Sequence, residues 1–302
     1  MFEKIIENKE KLSKELSLNI DSIFIEQNNN LKTKFYNEEK LHELRSCAKL
    51  LTAMAVGIAI DKKLLSLDIK IYPLIKDICN ITNMKNLDKI KNWTIKTLLT
   101  HQTGYDSQMF SEKYLVNIDE DKVLDYALNY EIPYEVNERY AYNNVEPFLI
   151  SVIFSEYLNI NLSDFVNENI FKKLNIKNYR WDNYGKYCMG ATGLYLKHND
   201  FHKIAKLLFD EGKYDGEDII PSYWINEMCK KQVDTPNYYK PERVLPKIGA
   251  GYFTFISRDD SVFRDGSNGQ YIIVDKNKDL LITIMSSEKD MKNVTEILRG
   301  II

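Results

Sequence analysis

The chain has 302 residues, enough to bury a sizeable core, and its 44% hydrophobic and 28% charged residues are the balance of an ordinary globular protein. A net charge of -3 and a pI near 5.9 give no basic surface for nucleic acid. The longest apolar run falls short of the roughly 20 residues that a membrane-spanning helix needs.

Residues 1–16 read as an amphipathic, charged helix. Its start, Met1-Phe2-Glu3-Lys4-Ile5-Ile6-Glu7, lacks the basic and apolar regions of a signal peptide, so a complete chain is expected to be cytoplasmic. Residues 20–26 and 31–36 read as strands, and Asn28-Asn29-Asn30 between them is hairpin chemistry because asparagine tolerates positive φ. A core helix is predicted from Ser46 to about Lys62. A long, mostly helical region follows, with proline breaks at Pro73, Pro133, Pro147 and Pro221. Strands return at 251–256, 261–264, 270–275 and 280–285, with Lys276-Asn277-Lys278 as a turn, and 290–302 reads as a closing helix. Cys47, Cys79, Cys188 and Cys229 are far apart, with no Cys-x-x-Cys, which fits free thiols in a reducing compartment.

The simplest closure is an α/β (α+β) fold. One antiparallel sheet is built from both chain ends and flanked by terminal helices, and an inserted all-helical lobe forms a second layer. The sheet lobe is expected over about 1–62 and 190–302 and the helical lobe over about 63–189, within one domain and with a cleft between the lobes.

Ser46-Cys47-Ala48-Lys49 opens the apolar run Leu50 to Ile60. Ser-x-x-Lys puts a hydroxyl and an amine one helical turn apart. A lysine at the start of so apolar a helix is poorly solvated when charged. Desolvation lowers its pKa, and a neutral lysine can take a proton from a serine. Ser286-Ser287-Glu288-Lys289 repeats the tetrapeptide at a strand end before a charged stretch, a context that reads as chance. Tyr142-Asn143-Asn144 gives Tyr-x-Asn after a polar turn and before a helix that starts near Val145-Glu146-Pro147. A lysine beside a tyrosine favours the phenolate, which can shuttle protons, and Asn144 offers an amide to a substrate. A second Tyr-x-Asn, Tyr157-Leu158-Asn159, is expected mid-helix and is set aside.

Ser46-x-x-Lys49, Tyr142-x-Asn144 and a glycine-bearing late strand, in this order, resemble the serine β-lactamase and penicillin-binding-protein superfamily. The likeness is greatest to its class C-like branch, with esterases, D-amino-acid peptidases and an aminohexanoate-oligomer hydrolase. Leu98-Leu99-Thr100-His101-Gln102-Thr103-Gly104, Phe171 to Ile176, Gly190 to Leu196 with Asp200, and Gly266-Ser267-Asn268-Gly269-Gln270 are similar to that branch's segments. The resemblance runs from about residue 20 to 290. It implies a β-lactamase/transpeptidase-like fold and acyl-enzyme chemistry. Ser46 would be the nucleophile, Lys49 and Tyr142 its proton acceptors, and Asn144 a substrate contact. The oxyanion would sit between the N–H of Ser46 and one near Ser267.

The third motif departs from the pattern. Where the superfamily carries Lys/His-Thr/Ser-Gly, this chain has Arg264-Asp265-Gly266. Arg264 would receive a substrate carboxylate, but Asp265 would repel it. That argues against penicillins and leaves ester, amide or peptide hydrolysis open. The expectation is therefore a serine hydrolase acting on a small molecule or peptide, with Ser46, Lys49 and Tyr142 catalytic and Asn144, Arg264, Gly266 and Ser267 binding substrate. A non-catalytic binding or sensing protein of the same fold is the alternative, and a weak β-lactamase or penicillin-binding protein ranks third. No cofactor or metal is expected. His198 and His202 have metal-compatible spacing, but Asp200 as a helix N-cap explains them better. His101 is expected to order the loop before Gly104. His42 has no assignable role, and the oligomeric state is not readable.

Overall fold

In a computed structural model, residues 1–106, 110, 115–235 and 244–302 are described. They fall into two compact units, 1–47 with 195–302 and 48–194. The division lies between Cys47 and Ala48, inside one helical run. That run is a 3-10 turn, Arg45–Ala48, followed directly by the α-helix Lys49–Asp61.

The first unit is built on one eight-stranded antiparallel sheet. Its spatial order is Val233–Asp234, Gly249–Ala250, Phe255–Ile256, Val262–Asp265, Tyr271–Asp275, Leu280–Ser286, Ile20–Gln27, Asn30–Phe35. Both chain ends therefore meet in the sheet as expected, with Ile23 opposite Ile284 and Ile25 opposite Ile282. Asn28 (φ 51) and Asn29 (φ 58) make the two-residue turn, and both positive angles match the twist of the strands they join. Ile20–Gln27 is buried almost throughout, because the sheet is covered there, while the edge strand Asn30–Phe35 is exposed along its length.

Three local expectations need correction. The strand predicted at 251–256 is a tight hairpin, since Phe253 turns at φ 57 and the Gly251 N–H bonds the Thr254 carbonyl. The N-terminal helix stops at Leu12. Asp200 is not an N-cap: the helix His198–Phe209 starts earlier, after an extended Lys197, and Asp200 pairs instead with Lys203 at 2.8 Å. That helix packs on the strands Tyr271–Asp275 and Leu280–Ser286, and its Phe201, Ile204, Ala205 and Leu208 are buried.

The second unit centres on two almost wholly buried helices, Lys49–Asp61 and Val145–Glu156. Neither is amphipathic, as befits helices covered on all sides. Pro73 and Pro147 sit in first helical turns of this unit, and Pro221, in the first unit, caps a helix start. These prolines begin helices rather than break them, because the first N–H groups of a helix have no intrahelical acceptor. The unit is not wholly helical: Asn183–Tyr184 and Tyr187–Cys188 form a small hairpin. Tyr157 follows the last residue of its helix, so Tyr157–Asn159 lies at a helix end rather than mid-helix. Among the described residues no helix is long and apolar enough to cross a membrane.

Candidate active site

In the first unit, Ser46 is half-buried on the 3-10 turn. The residue before it, Arg45, is held at φ 49 and ion-paired to Glu43 at 2.9 Å. A left-handed angle at a non-glycine residue is uncommon and costs of order 1 kcal/mol or more, so neighbouring contacts must hold it. Cys47 points away from the turn's outer face, with Sγ 3.7 Å from the Arg264 carbonyl and 3.8 Å from that of Gln270.

The late strand lies against this turn. Arg264 is 1% exposed, its Nε donates to the Ser46 carbonyl at 2.9 Å, and its guanidinium lies 4.8 Å from the centre of the Phe255 ring. A side chain at Gly266 would come within 2.7 Å of the Leu44 carbonyl and 3.0 Å of Arg45 Cβ, so glycine is what lets strand and turn approach. Asp265 pairs with Lys247, Oδ2 to Nζ 2.9 Å. Burial pushes the Asp265 carboxyl up, but Lys247 and Arg264 outweigh it and hold the group below its ordinary value.

Ser267 is exposed in the turn that follows. Buried Gln270 shapes that turn: Oε1 accepts from the Asn268 N–H at 3.3 Å and Nε2 donates to the Ser286 carbonyl at 2.6 Å. Gly269, at φ 84, completes it.

In the second unit the structure brings Lys49, Tyr142 and Asn144 together. Lys49 is completely buried. Its Nζ donates to Asn144 Oδ1 at 2.6 Å and to the Ala191 carbonyl at 3.2 Å, and lies 4.9 Å from the centre of the Tyr142 ring. Asn144 Nδ2 donates to the Phe110 carbonyl at 2.9 Å, which turns its oxygen toward the lysine. One turn along the helix, Thr52 Oγ1 donates to the Gly190 carbonyl at 2.7 Å and ties Gly190–Ala191 to the same helix.

The loop carrying Tyr142 rests on a polar cluster that sequence reasoning missed. Glu146 is fully buried in the first turn of Val145–Glu156. Its Oε1 accepts from Thr103 Oγ1 at 2.7 Å and Asn143 Nδ2 at 3.0 Å, and its Oε2 faces His101 Nδ1 at 3.1 Å. The His101 ring packs on Tyr142 with centroids 5.1 Å apart, and its backbone carbonyl accepts from the Ala141 N–H at 2.9 Å. The only sequence signal was an acidic residue opening an otherwise apolar helix.

Of the remaining candidates, His198 and His202 both bond Thr283 Oγ1 at 2.9 Å in a buried network that includes Ser22 and Glu26. Among the described residues no three His, Cys, Asp or Glu side chains converge as metal ligands. Ser286, the serine of the second Ser-x-x-Lys, donates to the Asn19 carbonyl and accepts from the Glu288 N–H.

The Beta-lactamase family model matches residues 29–299, and the chain belongs to that family. No curated protein matches it in sequence. Among solved structures, the octameric penicillin-binding protein homologue from Pyrococcus abyssi superimposes with a TM-score of 0.79 at 17% identity, covering 98% of this chain and 76% of that one. A protein described as a 6-aminohexanoate-dimer hydrolase from Bacillus anthracis gives 0.75 at 19% identity, covering 93% and 76%. EstCE1, a hydrolase with promiscuous acyltransferase activity, gives 0.79 at 12% identity, covering 98% and 97%. At these identities the likeness is one of fold.

Proposed function

We propose that the protein is a serine hydrolase that cleaves an ester, amide or peptide through an acyl-enzyme on Ser46. The observation that carries this reading is the fully buried Lys49, bonded to Asn144 and capped by the Tyr142 ring, three positions after Ser46 on one helical run. The two acceptors, Asn144 Oδ1 and the Ala191 carbonyl, hold the amine in place beside the Tyr142 ring. Lys49, with Tyr142, then takes the Ser46 proton as Oγ bonds the substrate carbonyl carbon. The tetrahedral intermediate collapses with expulsion of the leaving group, which Tyr142 protonates. Water, deprotonated by the same groups, breaks the acyl ester and restores Ser46. Backbone N–H groups at Ser46 and near Ser267 are the candidate oxyanion donors, each worth about 2.7–4 kcal/mol of barrier. No step requires a metal or organic cofactor.

Arg264 is assigned here to holding the Ser46 carbonyl rather than to receiving a substrate carboxylate, because its Nε is engaged there and the side chain is buried. Membership of the Beta-lactamase family and the fold shared with EstCE1 support hydrolysis as the reaction class. One observation favours the second reading, a binding protein without turnover: a charged pair, Asp265 with Lys247, stands where a small hydroxyl residue was expected.

The test is intact-protein mass after exposure to a broad fluorophosphonate, wild type beside Ser46→Ala. The Ser46 oxygen displaces fluoride from phosphorus, so one adduct on the wild type alone supports the hydrolase. No adduct on either protein favours the binding reading.

A further inference from the structure

We infer that Glu146, acting through His101, is a positioning residue for Tyr142 in the hydrolysis proposed above, and the inference rests on that reading. A fully buried carboxylate needs a reason, since burial without partners is among the costliest states of a side chain. Here Thr103, Asn143 and His101 surround both oxygens. One tie, to Asn143, stays within the Tyr142 loop, and two, to Thr103 and His101, reach the segment beside it. Asn143, immediately after Tyr142, donates to Oε1, while its own Oδ1 accepts from the Val145 N–H at 2.7 Å, locking the turn into the helix. His101 sets its ring at a tilt against that of Tyr142 and takes the Ala141 N–H on its carbonyl.

His101 does this from φ 53, a strained angle for a histidine that its ring and carbonyl contacts hold in place. Thr103 belongs to the same segment, which runs beside the loop through the pairs Asn137 N–H to Gln102 carbonyl and Tyr134 N–H to Gly104 carbonyl. The carboxylate thus clamps the loop that carries Tyr142 to the segment beside it. Lys49 Nζ also lies against the Tyr142 ring, 4.9 Å from its centre. Displacing the ring therefore alters the contact between the tyrosine and the lysine that share the proton transfer.

The experiment is a double-mutant cycle on the rate of Ser46 labelling by the fluorophosphonate, in the full-length protein. Glu146→Gln keeps the volume and removes the charge. It is expected to slow labelling at least tenfold in the wild-type background and less than twofold in Tyr142→Phe, because with the phenol gone there is no hydroxyl to position. A merely structural role would cost the same factor in both backgrounds, and that result, or no loss in either, overturns the inference. Should Glu146→Gln fail to fold, His101→Asn retains an amide donor toward Glu146 but lacks the ring. It is run in the same two backgrounds with the same expected and overturning outcomes. Absence of labelling in the wild type itself refutes the hydrolase reading and this inference with it, and is seen before any variant is compared.

Discussion

Arg264 donates from Nε to the backbone carbonyl of Ser46 across 2.9 Å, from a side chain that is 1% exposed. A guanidinium so engaged fixes the turn that carries the serine. Arg264→Lys keeps the charge but loses the rigid donor geometry. It is expected to lower kcat/KM by about tenfold, the cost of roughly 1.4 kcal/mol, and equally for a neutral ester and for its carboxylate-bearing analogue. A loss confined to the carboxylate-bearing substrate would instead make Arg264 the receptor of that group.

The Lys247–Asp265 pair makes a prediction about stability. Asp265 has its folded pKa held below the ordinary value, against burial, by Lys247 and Arg264. Its contribution is therefore present above the reference value of 3.8 and lost as pH falls through the lower folded value. Lys247→Met leaves a largely buried carboxylate without its main partner and should cost about 3 kcal/mol at pH 7. In urea unfolding the gap between wild type and variant should narrow at pH values well below 3.8.

A second acid-sensitive element lies where the helix His198–Phe209 meets the strand Ile20–Gln27. Burial, helped by His202 and His42, drives His198 well below its reference of 6.5, and the hydrogen bond from His202, with Lys206, lowers Glu26 to about 2. Both values are depressed, so both contributions are lost as pH falls: that of His198 below 6.5 and that of Glu26 between 4.5 and about 2. Unfolding free energy is expected to be flat above about pH 7 and then to fall, each of the two groups contributing up to ~1.4 kcal/mol per pH unit where it titrates. His198→Gln should flatten the profile between pH 6.5 and 4.5 relative to wild type.

The two Ser-x-x-Lys tetrapeptides separate cleanly. Ser286 Oγ is committed to the Asn19 carbonyl at 3.1 Å and the Glu288 N–H at 2.9 Å. Ser286→Ala should cost about 1 kcal/mol of stability and leave fluorophosphonate labelling unchanged, whereas Ser46→Ala should abolish it. Equal labelling of all three proteins would refute the assignment of Ser46.

Much of the fold was legible because local chemistry and global structure agree. Asn28-Asn29 offers positive φ where a two-residue hairpin requires it, and the apolar runs at 20–25 and 280–285 have the length of covered strands. The errors occurred where a neighbour overrode a local pattern. The apolar run 251–256 reads as one strand, yet a Gly251 side chain would meet the Met228 carbonyl, and Phe253 turns the chain back. Asp200 reads as a cap, but the register of the helix on the sheet buries His198 and starts the helix earlier.

The sequence by itself determined the residue types and their order: a serine and lysine one turn apart, a Tyr-x-Asn, and glycines on a late strand. These follow from covalent spacing and helical periodicity, which need no knowledge of distant neighbours. Only the tertiary structure decided what each charge is used for. Lys49 meets Asn144 across 95 positions, Arg264 meets Ser46 across 218, and Glu146 meets His101 across 45. Whether an ionisable side chain serves a substrate, a partner or the backbone depends on which group satisfies it once water is excluded. That choice is made by packing, because desolvation and hydrogen bonding act through space and not along the chain.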